Sequence, residues 1–361
     1  MGNKMKTNKI NIIVTACGAP GAPGIIKSLR MNGEREIRII GTDMNPESVG
    51  LSMVDKFYVV PPGTSPEFIS SMLEIAEKEG VDLILPLATY ELMSFSENKA
   101  EFENIGVTVL VSDPVPLEIA NNKGKLYEFL EKNGILVPKY KMVDNFNQFE
   151  KYVYELGYPN VPVCIKPQVS KGSRGFRILN DNIDKLDLLM NHKPDTSITT
   201  LEEMQLTLKN ANPFPKMVVM EYLPGKEYSV DVLVRKGEAL ITVSRSRDVI
   251  KLGISFVGIV ENNIELEEIA NKIVKEIGLD YNINLQFKYS INEVPKIIEI
   301  NPRVSGTIIL CTGAGVNLPY LAVKMALGEE IPAIKPEYGT KMIRYWEEVF
   351  IKNNGRSYQL K

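Results

Sequence analysis

Apolar and polar positions change period along this chain, and the changes mark its elements. Short runs rich in branched residues at Ile10–Ala16, Ile37–Gly41, Phe57–Val60, Val81–Leu85 and Val107–Val111 read as strands. Between them, Gly24–Met31, Pro66–Glu79 and Glu91–Glu103 carry the three-to-four spacing of helices. Such alternation with short connections predicts a parallel α/β sheet over residues 1–113. Ser112-Asp113-Pro114 marks a boundary, because Pro114 breaks a sheet and restricts Asp113. A helix at Gly124–Asn133 follows, closed by Gly134. A second α/β region spans 137–217, with strands at Val161–Lys166 and Gly175–Leu179. Within the polar stretch Asp195–Pro215 a helix is expected at Leu201–Lys209. From Val218 onward strands dominate: Val218–Tyr222, Tyr228–Arg235, Ala239–Arg245, Asn284–Ile291 and Lys296–Asn301. Helices at Leu266–Ile277 and Leu318–Leu327 interrupt them. There is no internal repeat and no low-complexity tract.

One strand breaks its own pattern. In Lys296-Ile-Ile-Glu-Ile-Asn-Pro-Arg303, Glu299 and Asn301 interrupt an isoleucine-rich run. Alternation turns both polar residues to one face, opposite Ile298 and Ile300. A carboxylate and an amide oxygen side by side are costly to bury without a cation or donors. Hard oxygen ligands of this kind suit Mg²⁺ held jointly with substrate phosphates. Pro302 stops the ladder and sets Arg303 just past the strand end. A polar pair on a solvated edge strand is the plain alternative.

Composition narrows the choices. At 361 residues the chain should hold two or three domains, with 44% hydrophobic and 24% charged residues as in ordinary globular proteins. A net charge of −3, from 42 basic against 45 acidic residues, is no footprint for nucleic acid or an anionic membrane. No apolar run is long enough for a membrane helix. The start, Met-Gly-Asn-Lys-Met-Lys, leads into a first strand and fits neither a signal peptide nor myristoylation. Cys17, Cys164 and Cys311 are widely spaced without a metal pattern, so a cytoplasmic setting is expected. His192, the single histidine, sits in a polar segment and reads as a surface residue. Histidine-dependent triads and histidine-rich metal sites are thereby disfavoured.

Three further segments carry candidate chemistry. Gly18-Ala-Pro-Gly-Ala-Pro-Gly24 lies between the first strand and first helix, with Asp43 ending the second strand. A dinucleotide-binding loop would need the tight Gly-x-Gly that is missing here. Gly18 and Gly21 could still offer backbone N–H groups to an anion such as a carboxylate, or the loop could simply pack. Lys166 ends an apolar strand, where a lysine either snorkels to solvent or meets an anion. The loop Ser170-Lys171-Gly172-Ser173-Arg174-Gly175 follows it, with donors for phosphate oxygens, though it is no Walker A sequence. Met220–Asp231 reads as strand, Pro-Gly turn and strand, suited to reading adenine by backbone and ribose by Glu227, or merely a hairpin with surface acids.

In order, Lys123, Ile165-Lys166-Pro167, the Gly-Ser-Arg-Gly loop, Glu221-Tyr-Leu-Pro-Gly-Lys-Glu227, Asn284-Leu-Gln286-Phe287 and Glu299-Ile-Asn301-Pro-Arg303 resemble the ATP-grasp ligases. Specifically, they resemble one synthetase half of the carbamoyl phosphate synthase large subunit. The resemblance spans nearly the whole chain. It implies a Rossmann-like pre-ATP-grasp α/β domain over 1–113, then a two-subdomain α+β ATP-grasp fold over 114–361. Within the latter, the lid would be about 137–217 and the Mg and substrate subdomain about 218–345. It implies that Lys123 and Lys166 bind ATP phosphates and that Ser170, Lys171, Gly172, Ser173, Arg174 and Gly175 close over them. Glu221 with the Tyr222 and Leu223 backbone would frame adenine, and Glu227 would hold the ribose. Gln286, Glu299 and Asn301 would ligate two Mg²⁺, with Mn²⁺ as a substitute, and Arg303 would steady the transferred phosphoryl group. Two departures stand out: Asn122 precedes Lys123, and Thr89 occupies a turn position, where relatives often carry Asp.

The resemblance implies an ADP-forming carbon–nitrogen ligase working through an acyl phosphate, chemistry that needs positioning and charge neutralisation more than proton transfer. One synthetase half without a Cys–His pairing for glutamine hydrolysis points to a stand-alone carboxylate–amine (or thiol) ligase. Carbamoyl-phosphate-synthase-like phosphorylation of bicarbonate or carbamate, a non-catalytic ATP sensor and a NAD-dependent oxidoreductase remain as alternatives. Arg245 and Arg247, at a strand end, could clamp the substrate carboxylate or lie in solvent. The expected partners are small-molecule acids and amines, with neither nucleic acid nor membrane, and a homodimer is allowed.

Overall fold

The computed structural model describes residues 9–169, 174–191, 197–251, 253–353 and 357–358. The N-terminal alternation gives strands β1 (Lys9–Val14), β2 (Glu36–Asp43), β3 (Lys56–Val59), β4 (Leu83–Leu85) and β5 (Thr108–Val109). They form a parallel sheet in the order β3-β2-β1-β4-β5. Ile12, Ile13 and Val14 are all fully buried, as expected of a central strand covered on both faces. Helices α1 (Ala22–Arg30), α2 (Phe68–Glu79), α3 (Leu92–Glu97), α4 (Lys99–Asn104) and α5 (Pro114–Asn121) complete this region. Strand order reverses at β1, so the loops leaving β1 and β4 part at their carboxyl ends, where open α/β sheets form crevices. The single helix expected over Glu91–Glu103 is two, broken at Asn98, whose amide donates to the Ser94 carbonyl at 2.8 Å. Pro114 starts α5, where its missing N–H costs no hydrogen bond.

Next come α6 (Lys123–Lys132), β6 (Tyr140–Val143), α7 (Phe146–Glu155), β7 (Val163–Pro167), β8 (Arg177–Leu179), α8 (Lys185–Asn191), β9 (Ile198–Thr199), α9 (Leu201–Leu208) and β10 (Met217–Glu221). Their strands pair in the order β6-β10-β7-β8-β9. Thr200 and Glu203 form a capping box that fixes the start of α9. The remainder supplies β11 (Glu227–Arg235), β12 (Glu238–Ser246), β13 (Val249–Lys251), β14 (Ile254–Glu261), α10 (Ile264–Ile277), β15 (Tyr281–Tyr289), β16 (Pro295–Asn301), α11 (Ile309–Gly313), α12 (Leu318–Ala326) and β17 (Lys341–Ile343). The long sheet runs β13-β14-β12-β11-β15-β16, and β17 pairs with β14.

Two compact units emerge. One comprises Met1–Ala120, Tyr228–Gln286 and Ile300–Lys361, and the other Asn121–Glu227 and Phe287–Glu299. This grouping by compactness differs from a linear division at residue 113. The larger unit is built on Ile12, Val14, Leu29, Val243, Val260, Val316 and Leu318, with a second cluster around Phe68, Phe95 and Phe102. The smaller unit is built on Phe149, Val153, Val163, Ile165 and Val219. Among the described residues, no helix is long and apolar enough to cross a membrane.

Candidate active site

In the smaller unit, Asn122 caps α6 by accepting the Gly124 and Lys125 N–H groups at 3.0 and 3.2 Å. An amide oxygen therefore caps here as an aspartate would, so the departure at this position leaves the helix start intact. The next residue, Lys123, is only 6% exposed, with its ammonium 3.9 Å from Glu299. Burial holds the Lys123 ammonium below the usual lysine range. Glu299 opposes that effect, and the nearby Lys166 charge adds to it. The Tyr127 hydroxyl donates to the Ile298 carbonyl at 2.8 Å, tying α6 to the strand that carries Glu299. Lys166 lies 5.2 Å over the Phe176 ring. Two lysines and one carboxylate thus converge where the charged lysine form is under strain, an arrangement an anion would relieve.

Nearby positions in this unit suit a nucleoside wall. Glu221 accepts the Lys139 N–H at 2.6 Å and the Lys296 ammonium, so its carboxylate is fixed. Lys288 lies 5.7 Å over the Tyr222 ring and 3.9 Å from Glu227, while Leu223 is buried. Gly225 donates to the Tyr289 carbonyl at 2.9 Å, and a Cβ there would lie 2.7 Å from Tyr289. Only glycine permits that approach. Gly175 has φ +75° and abuts Pro167, and Arg174 is exposed. Ser170, Lys171, Gly172 and Ser173 lie outside the described residues, as does His192.

Of the expected metal ligands, Gln286 sits on β15 and Glu299 and Asn301 on its sheet neighbour β16, all half-buried. Gln286 and Asn301 belong to the larger unit and Glu299 to the smaller, and each offers a hard oxygen donor of the kind Mg²⁺ takes alongside phosphates. In the larger unit, Arg303 donates through Nη2 to the Asn301 side-chain oxygen and through Nε to Thr89 Oγ1, both at 3.4 Å, and through Nη1 to the Val304 carbonyl at 2.9 Å. The threonine that departs from the family pattern is thus in contact with the arginine.

Neither strand-end arginine lies in solvent. Arg245 is fully buried. Its Nε donates to Asp231 at 2.6 Å and its Nη2 to Ser305 at 2.8 Å, whereas Nη1 has no hydrogen-bond partner. Asn284 donates to the other Asp231 oxygen at 2.9 Å. Arg247 donates to the Gly253 carbonyl at 3.0 Å and to Ser229 at 3.4 Å. The solvated reading fails because both side chains are buried, Arg245 against Asp231 and Ser305. Sequence reasoning missed Asp231, although a lone carboxylate within the apolar run Tyr228–Val234 is the same signal that exposed Glu299. It also missed Arg344, which donates to the Pro20 and Gly306 carbonyls at 3.3 and 3.0 Å. No sequence pattern marked that residue.

The Gly18–Gly24 loop differs from an open anion cradle. Gly18 N–H donates to Asp43 at 2.6 Å, and the Ala19 and Ala22 N–H groups bond within the loop. A Cβ on Gly21 would lie 2.2 Å from Gly306 Cα, so Gly21 is a packing glycine. Asp43 ties down this loop and accepts Asn45 N–H at 2.8 Å. Close by, Glu91 is 3% exposed. One of its oxygens accepts the Thr15 hydroxyl and the Leu87 and Ala88 N–H groups at 3.0 and 2.9 Å. Burial pushes its carboxyl up from 4.5 to about 7.

Two outcomes follow from these buried charges. Asp231→Ala leaves Arg245 unpaired in the core and should destabilise the protein by about 3–5 kcal/mol in urea unfolding. Glu91 holds a proton in the folded state that the unfolded chain releases between pH 4.5 and 7. Stability should therefore rise as pH falls through that window, by at most about 3 kcal/mol, and Glu91→Gln should flatten the dependence. Unfolding curves measured at pH 5, 6, 7 and 8 check both the sign and the residue.

Comparison with known proteins agrees with this layout. Residues 213–348 match the family described as ATP-grasp in the biosynthetic pathway with Ter operon, and residues 8–110 match the PylC-like N-terminal domain. The carbamoyl phosphate synthase large chain of Methanobrevibacter smithii is 26% identical over 86% of this chain, which spans only 28% of that relative. A carbamoyl-phosphate synthase from the same organism is 24% identical, covering 82% of this chain and 76% of the relative. Among solved structures, the biotin carboxylase domain of Hydrogenobacter thermophilus 2-oxoglutarate carboxylase, determined with MgADP, ADP and bicarbonate, aligns with TM-score 0.66 at 19% identity. That alignment covers 91% of this chain and 72% of the neighbour. Staphylococcus aureus N5-carboxyaminoimidazole synthetase with ADP aligns with TM-score 0.66 at 15% identity, covering 93% and 82%. The chain thus carries an ATP-grasp domain matched over residues 213–348 behind a PylC-like N-terminal domain, and is homologous to the carbamoyl phosphate synthase large chain.

Proposed function

We propose that this chain is an ATP-dependent carboxylate–amine ligase that works through an acyl phosphate. The observation that carries the reading is the meeting of Lys123, Lys166 and Glu299. A buried ammonium held below its usual range by burial and by a second lysine is built to receive a polyanion. In this reading Lys123 and Lys166 hold the ATP phosphates. Tyr222 and Leu223 flank adenine, and Glu227 takes the ribose hydroxyls. Gln286, Glu299 and Asn301 would hold Mg²⁺, two ions in the fuller form, and the metal when bound neutralises phosphate charge. An oxygen of the acid's carboxylate attacks the γ-phosphorus and ADP leaves. The amine nitrogen then attacks the acyl carbon, phosphate departs and the nitrogen loses a proton. Arg303, which donates to Asn301 and Thr89, would neutralise the oxygens of the transferred group.

A second reading, phosphorylation of bicarbonate or carbamate, is favoured by the homology to carbamoyl phosphate synthase chains. Phosphate release stimulated by bicarbonate and unaffected by pools of amino acids would select it.

Millimolar ATP·Mg²⁺ should raise the melting temperature of the wild-type protein, since a ligand at 100-fold its dissociation constant stabilises by about 2.7 kcal/mol. Glu299→Ala should fold but lose turnover by ~10²–10³-fold, because it deletes a metal ligand and a neighbour of Lys123. Arg303→Ala should keep ATP binding while ATP-dependent phosphate release slows. Wild-type turnover in Glu299→Ala would overturn the metal assignment, and a shift with NAD but none with ATP·Mg²⁺ would overturn the ligase reading.

A further inference from the structure

We propose that the outer edge of β17 is a self-association surface. Two copies of this chain pair antiparallel along residues 341–347, about a two-fold axis at Arg344, with Lys341 of each copy opposite Glu347 of the other. The inference is independent of the ligase reading.

Strand β17 pairs with β14, Ile343 opposite Val257, and with no other strand among the described residues. The Arg344 N–H donates to the Phe256 carbonyl at 2.8 Å, and the Thr340 carbonyl accepts the Val260 N–H at 3.0 Å. Residues 340, 342 and 344 therefore turn their backbone groups to β14, and Lys341 and Ile343 turn theirs outward. Residues 344–349 continue from the strand without helix or turn. A bare edge of this kind is a template for another strand, and proteins that stay monomeric blunt it with proline, a bulge or unmatched charge. The stretch Lys341–Ile351 contains no proline. It instead leaves Ile343, Tyr345 and Trp346 exposed by 69%, 74% and 73%. Three large apolar side chains together on one edge gain from being covered.

Register identifies a second copy as the occupant. Because the odd-numbered residues carry the outward backbone groups, a symmetric antiparallel pair must set odd residues against odd ones. With Ile343 opposite itself, Glu347 would face Gly339; with Tyr345 opposite itself, Glu347 would face Ile343. With Ile343 opposite Tyr345, Lys341 faces Glu347 and Met342 faces Trp346. Of the three, this register alone sets opposite charges across from each other, and it places two Ile–Tyr pairs between two Lys–Glu pairs in one row. Glu347 already lies 3.8 Å from Lys27 of its own copy, an exposed contact that leaves room for a second cation. Arg344 falls at the axis, and its guanidinium is engaged within its own copy by the Pro20 and Gly306 carbonyls. The Trp346 ring meets Phe256 edge-on at 5.5 Å, which holds the segment after β17 against the sheet. At roughly 150–250 Å² a ring, Tyr345 and Trp346 from both copies bring the buried area toward the ~1,200 Å² where specific interfaces begin. Such a contact is self-complementary and closes at two copies.

Sedimentation velocity on the full chain, without ATP and over a wide range of protein concentration, tests the pairing. The wild-type protein should pass from one to two chain masses as concentration rises through the micromolar range. Glu347→Lys and Lys341→Glu should each weaken association by about tenfold or more, because each sets like charges opposite one another twice. The double variant Lys341→Glu/Glu347→Lys should regain the wild-type dimer. Both positions are exposed, so all three variants should keep the wild-type melting temperature. The Lys27 contact is lost in Glu347→Lys and in the double variant alike, so recovery reports the pairing with Lys341. Ile343→Pro, which removes an outward N–H, should also remain at one chain mass; if it does not fold, the charge variants decide. A wild-type protein that stays at one chain mass throughout, a dimer undiminished in the single charge variants, or no recovery in the double variant would overturn the proposal.

Discussion

The buried Asp231 carboxylate is the point on which the larger unit's chemistry depends. One oxygen takes the Arg245 guanidinium and the other the Asn284 amide, which pins β11, β12 and β15 at one place. Arg245 extends the network to Ser305. Each charge would be strongly unfavourable alone in the core, so the segments that carry them must stay in register. Gln286 lies two residues beyond Asn284 on the same strand face, and Arg303 two residues before Ser305. The register that satisfies a buried ion pair therefore also sets where two candidate catalytic side chains emerge. That network accounts for why Arg245 is buried while its nominal strand-end position suggested a substrate clamp.

Charge is divided unevenly along the chain. The smaller unit gathers lysines 123, 166, 288 and 296 around Glu221, Glu227 and Glu299. The crevice of the parallel sheet gathers Asp43 and Glu91 instead, with no described cation to meet them. Net charge alone, at −3, concealed this partition.

Much of the fold was legible because hydrophobic period reports burial directly. The five parallel strands stood out as apolar runs, and Glu299 and Asn301 stood out against theirs. Where period was weak the reading failed. β14, with Gly253 and Gly258 around Phe256 and Val260, lacks a clean alternation, and it gains its place by pairing with β12 and β17. The break at Asn98 depends on a side chain capturing a carbonyl, which composition does not announce. At the candidate site, Glu299 and Asn301 were singled out by strand parity, and Lys123 and Lys166 by family motif. Arg344 and Glu91 were not, because their meaning comes from long-range neighbours: Gly306 for the first and Thr15 for the second. The Gly18–Gly24 loop shows the converse. Its glycines suggested free N–H groups, and only the fold reveals that Asp43 takes the Gly18 N–H and that Gly21 packs against Gly306.

The central claim is that the γ-phosphate of ATP is transferred to a substrate carboxylate. Its most direct measurement is isotope transfer: ATP·Mg²⁺, an amine pool and acids labelled with ¹⁸O in the carboxylate are incubated with the protein, and the products are analysed by mass spectrometry. The account predicts ADP together with inorganic phosphate carrying one ¹⁸O atom from the acid. Label appearing in AMP, or phosphate released without label, would contradict it.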